Sequence, residues 1–428
     1  MQKRIIFFLF FLCAGTFFNP VMGISKLVQG VDFVVDTMSL GSFVMVTVSE
    51  PTEIVLDWTG EAISRVEIKP SLPGMECLIE GNRLRLTGVV PCKVAIVCNG
   101  DDKHPIYLFA NAPEPLPWQD FPDGTIRFPK GVHEIGVREI TKDNTFIFLE
   151  EGAVVRGCFH AKNVCNLHIA GYGVIDGRDT KRAIRCERSE GIVMEGPLLL
   201  SDNGWTAAFF ECKNVEINNV KILSSQEWSD GIDILATSDV VIDDIFVRNE
   251  DDCICIKTKK FIYAGNVENV IVRNSTFWSG KQGNALEVGY ELDVDYVRNI
   301  RFENIDIIRK ETSVNKFRRA AISIHHNGNA AISDISFKDI RIESVDENLI
   351  WIGLIPAGRW GDGGGSIENV TLENIVYSNG PPAPVYIDGT PTGKVNNIRF
   401  KNFNYLSKPV RTVADDVFKI EQAHVIIE

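Results

Sequence analysis

One phrase recurs through the C-terminal two-thirds of the chain and restricts its possible folds more than any other feature. It reads NVCNLHI at 163, NVEINNVKI at 214, DVVIDDIFV at 239, NVIVRNSTF at 269, NIRFENIDI at 299, DISFKDIRI at 334, NVTLENIVY at 369 and NIRFKNFNY at 397. The longest interval holds a weaker match, EGIVMEG at 190. In most copies an Asn or Asp leads into alternating β-branched residues, so each short strand has one apolar and one polar face. One such coil cannot bury its apolar face alone. Stacked copies can, with Asn side chains laddering at the turns. The pattern predicts an all-β architecture, a right-handed parallel β-helix (solenoid), over 113–428. No helical periodicity competes with it over any long segment.

Residues 24–112 follow a different pattern. Short alternating runs, FVMVTV at 43, IVLDW at 54, VEI at 66, RLRL at 83, VAIV at 94 and IYLF at 106, are separated by Gly, Pro and Asn turns. They predict a small N-terminal β-sandwich. The stretch ANAPEPLPW at 110, with three prolines, reads as the linker between the two domains.

Ahead of both lies a secretory leader over 1–23: Lys3 and Arg4, the apolar run Ile5 to Leu12, and a small-residue end at Gly23. The product is therefore expected to be exported, periplasmic or secreted. Leu12 before Cys13 is a poor fit to a lipoprotein signal, so surface anchoring is the lesser alternative. No later apolar run reaches the roughly 18 residues of a membrane span. The net charge is −13, or −15 once Lys3 and Arg4 are removed, which argues against nucleic acid as a partner. Nine of the ten cysteines remain after cleavage, without metal-like spacing, and an odd number precludes a fully paired disulfide framework. Cys77 with Cys92 or Cys98 is the candidate bridge. Oligomeric state leaves no mark on the sequence.

Because the coils repeat, they can be aligned on one another. A second short strand follows in each: GIDIL at 231, CICIK at 253, ALEVG at 285, AISIH at 321 and LIWIG at 349. If Ile232, Ile254, Leu286 and Ile322 point inward, the two-residue period places Asp233, Cys255, Glu287 and Ser323 on the outer face. Asp230, Asp252 and Asn284 then stack at the strand entrances, with Asp251 one residue earlier. Adjacent coils lie about 4.8 Å apart. Carboxylates held so closely repel when both ionise, so at least one should stay protonated at higher pH, as a general acid requires. Capping of turn N–H groups is the ordinary fate of Asp in a solenoid. That reading suits Asp239, Asp243 and Asp244. The set Asp230, Asp251 and Asp252 is the catalytic candidate.

These phrases resemble a known family. Ser-Asp-Gly-Ile-Asp (229–233), Asp-Asp-Cys-Ile-Cys-Ile-Lys (251–257) and Gly-Asn-Ala-Leu-Glu-Val-Gly (283–289) are similar to the Asn-Thr-Asp, Asp-Asp and Gly-His-Gly motifs of polygalacturonases. FPKGVHEIG at 128, LEEGAVVRG at 149 and IAGYGVIDG at 169 resemble the first coils of that clan, which includes the dextranase and isopullulanase family. A β-sandwich ahead of the helix is more like the latter. The resemblance implies an inverting glycoside hydrolase acting on an α-linked polysaccharide or oligosaccharide. In it Asp251 is the general acid, and Asp230 and Asp252 hold and deprotonate the water. Two departures stand out. Asn284 occupies the place of His, and Ser323-Ile324-His325 stands where polygalacturonases carry Arg-Ile-Lys for a uronate carboxylate. A neutral sugar at that subsite is the resulting expectation.

Further substrate-binding candidates are Glu287, Lys257 and His325 on or near the outer face, and Trp228, Tyr290 and Trp351 as rings on which a pyranose can stack. His325 and His326 have no third nearby His or Cys and make a poor metal site, so neither a metal nor another cofactor is expected. Two other functions remain in view. A polysaccharide lyase on the same fold needs a basic proton abstractor, often with calcium. A non-catalytic carbohydrate-binding solenoid tolerates neutralised aspartates.

Overall fold

The structure is a computed structural model. It describes residues 34–38, 41–58, 62–114, 121–202, 204–312, 318–356 and 363–428, together with 4–5, 358 and 361. The expected leader lies outside the described residues apart from 4–5, and 115–120 of the proline-rich stretch lie outside them too. The chain divides into two compact units, the first ending at Phe121 and the second running from Pro122 to Glu428.

In the first unit, Gly41–Thr47, Ile106–Asn111, Cys92–Cys98 and Val66–Lys69 belong to one sheet. Thr52–Asp57, Arg83–Val89 and Glu76–Glu80 belong to another. Alternate residues of both sheets, among them Val44, Val46, Leu108, Ile54 and Leu84, share one core. Cys77, Cys92 and Cys98 are free thiols, so the candidate bridge does not form; Cys77 lies in one sheet and the other two cysteines in the other.

The second unit is a parallel β-helix. In its middle region each coil has three strands. Ser238–Asp243, Phe246–Asn249 and Ile254–Lys257 stack in parallel on Lys213–Asn218, Lys221–Ser224 and Ile232–Leu235. From Val267 onward the first two strands of a coil run together, as in Val267–Ser279 and Tyr296–Lys310.

The recurring Asn or Asp now has a physical reason. Asp239, Asn269, Asn299, Asp334, Asn369 and Asn397 all sit at φ of 54 to 58°, the left-handed region that Asn and Asp tolerate best among residues with a Cβ. Their side chains form a ladder: Asn269 Nδ2 donates to Asp239 Oδ1 at 2.7 Å, and Asn299 Nδ2 to Asn269 Oδ1 at 2.6 Å. Asp243 is a ladder residue as well, accepting from Asn274 Nδ2 at 2.7 Å.

Inside, one column of side chains runs through Ile184, Ala207, Ile232, Ile254, Leu286, Ile322 and Ile350, each paired with the next in register. All are buried, and each Ile or Leu contributes roughly 1.5–3 kcal/mol by leaving water. This column fixes which residues of the third strand face outward, and so fixes the site.

Candidate active site

The stack at the strand entrances forms as the coil alignment requires. Two residues before the inward column stand Asp230, Asp252 and Asn284, joined by backbone bonds from Gly231 N to Asp252 O (2.8 Å) and from Cys253 N to Asn284 O (2.9 Å). Each side chain also caps the next coil. Asp230 Oδ1 accepts from Asp252 N at 3.3 Å, Asp252 Oδ1 from Asn284 N at 2.7 Å and Nδ2 at 2.9 Å, and Asn284 Oδ1 from Ala320 N at 2.8 Å. Turn capping and chemistry thus coexist, because capping uses only one oxygen of each carboxylate.

The second oxygens differ. Asp230 Oδ2 accepts from Lys257 Nζ at 2.6 Å, so both its oxygens are occupied. Among the described residues, Asp252 Oδ2 meets only the weak Cys255 Sγ–H donor at 3.3 Å. Asp252 is also partly exposed, whereas Asp230 is buried. The Asp252 oxygen is therefore the one open to a water.

Asp251 is 7% exposed, and among the described residues its carboxyl receives no hydrogen bond. Burial pushes it well above the usual carboxylate range, and the neighbouring Asp230 and Asp252 charges push it further. The shift favours the protonated form of Asp251, the form a general acid needs. The close approach depends on Gly283, since a Cβ there would lie 2.1 Å from the Asp251 carbonyl carbon and 2.2 Å from Asp252 N.

Three candidates are placed differently from the sequence expectation. Lys257, expected on the outer face either as a partner for a carboxylate or a sugar oxygen or as a plain surface charge, is buried and holds carboxylates; its Nζ also reaches Asp233 Oδ1 at 2.5 Å and lies 3.9 Å from the Trp205 ring centroid. Glu287 is on the outer face but fully buried, its Oε1 2.9 Å from His325 Nδ1. His325 is clamped between Tyr290 and Trp351, with ring centroids at 5.6 and 4.2 Å. Lys257 is consequently an internal cation whose partners are protein carboxylates, whereas neither Glu287 carboxyl oxygen has a hydrogen-bond partner among the described residues. Tyr290 remains partly exposed and accepts from Asn327 Nδ2 at 2.7 Å. Trp228, two residues before Asp230, is 60% exposed, as a sugar-stacking ring must be.

Sequence reasoning missed Asp233 as the second partner of Lys257. Its carboxyl is fully buried and is pushed well above the usual range by burial and by Asp230. It also missed Cys255, whose sulfur lies within 4.8 Å of oxygens of Asp230 and Asp252. That donor set could in principle hold a cation, but the Lys257 ammonium already supplies positive charge to Asp230. The register itself would have pointed to Trp205, which occupies the same column one coil before Asp230.

The sequence model of glycosyl hydrolases family 28 matches residues 176–417. The polygalacturonase QRT2 of Arabidopsis thaliana is 24% identical over 253 residues, 52% of this chain and 54% of its own length. The chain spans about half or less of the curated relatives it matches. Among solved structures, Dex49A from Penicillium minioluteum has a TM-score of 0.60 at 13% identity, over 90% of this chain and 83% of that one. A hyperthermoactive exopolygalacturonase from Thermotoga maritima has a TM-score of 0.55 at 17% identity, over 71% and 83%. These two speak for the β-helix fold. The family match covers more than half of the sequence and includes the whole acid column: the chain belongs to glycosyl hydrolases family 28.

Proposed function

We propose that the protein is an exported glycoside hydrolase that cleaves an α-linked polysaccharide or its fragments with inversion at the anomeric carbon. One observation carries this reading: a buried Asp251, whose carboxyl burial and neighbouring acids push well above the usual carboxylate range, directly precedes Asp252, whose Oδ2 is open to a water. In a single displacement, Asp251 gives its proton to the glycosidic oxygen as the bond from that oxygen to the anomeric carbon breaks. The water oxygen bonds the anomeric carbon from the opposite face, and its proton passes to Asp252. Asp230, held by Lys257, caps the Asp252 backbone N–H and so positions Asp252 toward the water. Solvent then returns a proton to Asp251 and removes one from Asp252. The α linkage follows from the family resemblance, and export from the leader. Among the described residues no helix is long and apolar enough to cross a membrane.

Inversion is directly observable. Proton NMR of the first-formed sugar should show the anomeric configuration opposite to that of the substrate. Retention would require one of the three acids to act as a covalent nucleophile, which this assignment does not allow.

The sugar beside the scissile bond is proposed to be neutral. Ser323 and His325 are buried in the coil where a uronate carboxylate would need a cation. Lys257 serves Asp230 and Asp233, Arg318 pairs with Asp388 and lies 3.6 Å from the Tyr386 ring centroid, and Arg319 donates to the Gln282 carbonyl. The polygalacturonases among the relatives make polygalacturonate the competing substrate. Initial rates on neutral α-glucans, polygalacturonate and its methyl ester, at low and high salt, should favour uncharged chains. A clear preference for the free uronate would overturn this assignment.

A further inference from the structure

The second strand of each middle coil ends on a buried polar side chain. Ser201, Ser224, Asn249, Ser279 and Lys310 occupy one register position in successive coils, and all are fully buried. A buried polar group needs a partner, and each of these finds one in a carbonyl of a turn that leads into a third strand. Ser201 Oγ donates to Lys181 O at 3.2 Å, Ser224 Oγ to Ser229 O at 3.4 Å, and Ser279 Oγ to Asp251 O at 3.3 Å. Lys310 Nζ donates to Gly280 O at 3.0 Å.

Asn249 departs from the serines on either side of it, and it does so in the coil that carries Asp251 and Asp252. Its amide nitrogen donates to Ser229 O at 2.8 Å and to Asp252 O at 2.7 Å. One side chain thus ties the carbonyl directly before Asp230 to the carbonyl of Asp252. Cys253 Sγ donates to Asn249 Oδ1 at 2.9 Å. Two carbonyl oxygens at one end of the amide and a thiol at the other fix which end is nitrogen. A serine hydroxyl has a single proton and serves one carbonyl only. The Asp252 carbonyl also accepts from Gly231 N at 2.8 Å, so that oxygen is not orphaned without Asn249.

We propose that this internal column, through Asn249 above all, sets the spacing of the three acids. The proposal rests on the reading of Asp230, Asp251 and Asp252 as a hydrolytic set, and it makes Asn249 a positioning residue that acts on the turns of two of them. From inside the solenoid Asn249 holds the Asp230 and Asp252 turns at a fixed separation, while Ser279 holds Asp251. The side-chain caps from Asp230 to Asp252 and from Asp252 to Asn284 then act between turns that cannot slide. Misplacement by about 1 Å in such a constellation costs about 10²-fold in rate, whereas the single hydrogen bond that prevents it contributes little to stability. Loss of Asn249 therefore separates catalysis from folding.

Asn249→Ser supplies the residue that the neighbouring coils use at this position, and it should fold. Its kcat on dextran or polygalacturonate, whichever the native protein cleaves, should fall about 10- to 100-fold with KM nearly unchanged. Ser201→Ala removes the donor to a turn that bears none of the three acids; it should lose a similar small share of stability and keep the native kcat. A second readout needs no turnover. Carbon-13 titration of the aspartate carboxyls, with Asp251→Asn assigning the signal, should place native Asp251 above the usual range, where burial, Asp230 and Asp252 raise it and Lys257 and Arg319 lower it. In Asn249→Ser that value should move down, because a loosened turn admits water to the carboxyl. Should Asn249→Ser not fold, Ser279→Ala removes the hydroxyl bound to Asp251 O alone; it should lower kcat about 3- to 10-fold, the share one hydrogen bond carries, and shift the same titration. A native kcat or an unmoved Asp251 titration in the folded variant, or an equal loss of kcat in Ser201→Ala, would overturn the proposal. Should the native protein release reducing ends from no polysaccharide, the proposed activity fails, and the titration alone upholds or overturns the column.

Discussion

Replacing Asp251 by Asn will lower kcat about 10²- to 10⁴-fold and leave KM nearly unchanged, because general acid catalysis acts on the transition state. Asn has nearly the same shape, and among the described residues the Asp251 carboxyl accepts no hydrogen bond that the substitution would break. The pH profile gives a second readout. Burial and the neighbouring acids hold Asp251 protonated above the usual carboxylate range. In the native protein, kcat/KM should therefore fall as pH rises through that raised value. In Asp251→Asn this alkaline limb should vanish. A folded variant with unchanged kcat would move the acid elsewhere.

Lys257→Met will cost stability as well as activity. The ammonium is the cation shared by Asp230 and Asp233 in buried surroundings, and breaking such a group by removing one partner costs about 3–5 kcal/mol. Without Lys257 the folded-state pKa values of both aspartates rise further above their unfolded values. Carboxyls with raised values stabilise the fold in their protonated form, and that contribution is lost as pH increases through the raised value. The loss should therefore be larger at pH 7 than at pH 4, by thermal or urea unfolding of the same preparations. The acidic limb of kcat/KM should shift upward, since Asp230 loses the charge that favours its ionised form. A deficit that is the same at both pH values would mean that Lys257 acts through packing on Trp205 alone.

The parts of this protein that alternation governs could be read in the sequence. The inward positions of Ile232, Ile254, Leu286 and Ile322 follow from a two-residue period. Once they are aligned, the stacking of Asp230, Asp252 and Asn284 follows from covalent geometry. What covers the outer face could not be read. Period two tells which side of a strand Glu287 or Lys257 occupies, but burial there depends on rings brought in by other coils and loops, such as Trp205 over Lys257 and Trp351 against His325. An outward residue was thus equated with an exposed one.

The constant step between coils makes the solenoid a measuring rod. One coil advances by about 4.8 Å, close to the length that one pyranose unit adds to a polysaccharide, so successive sugars meet successive graduations. A coil duplicated ahead of Ile184 would lengthen the scale and leave the acids untouched. A coil inserted between Asp252 and Asn284 would break the bonds that hold Asp252 in place. Chain-length preference in such a protein can therefore drift by counting coils, while the marks at Asp230, Asp251 and Asp252 stay where they are.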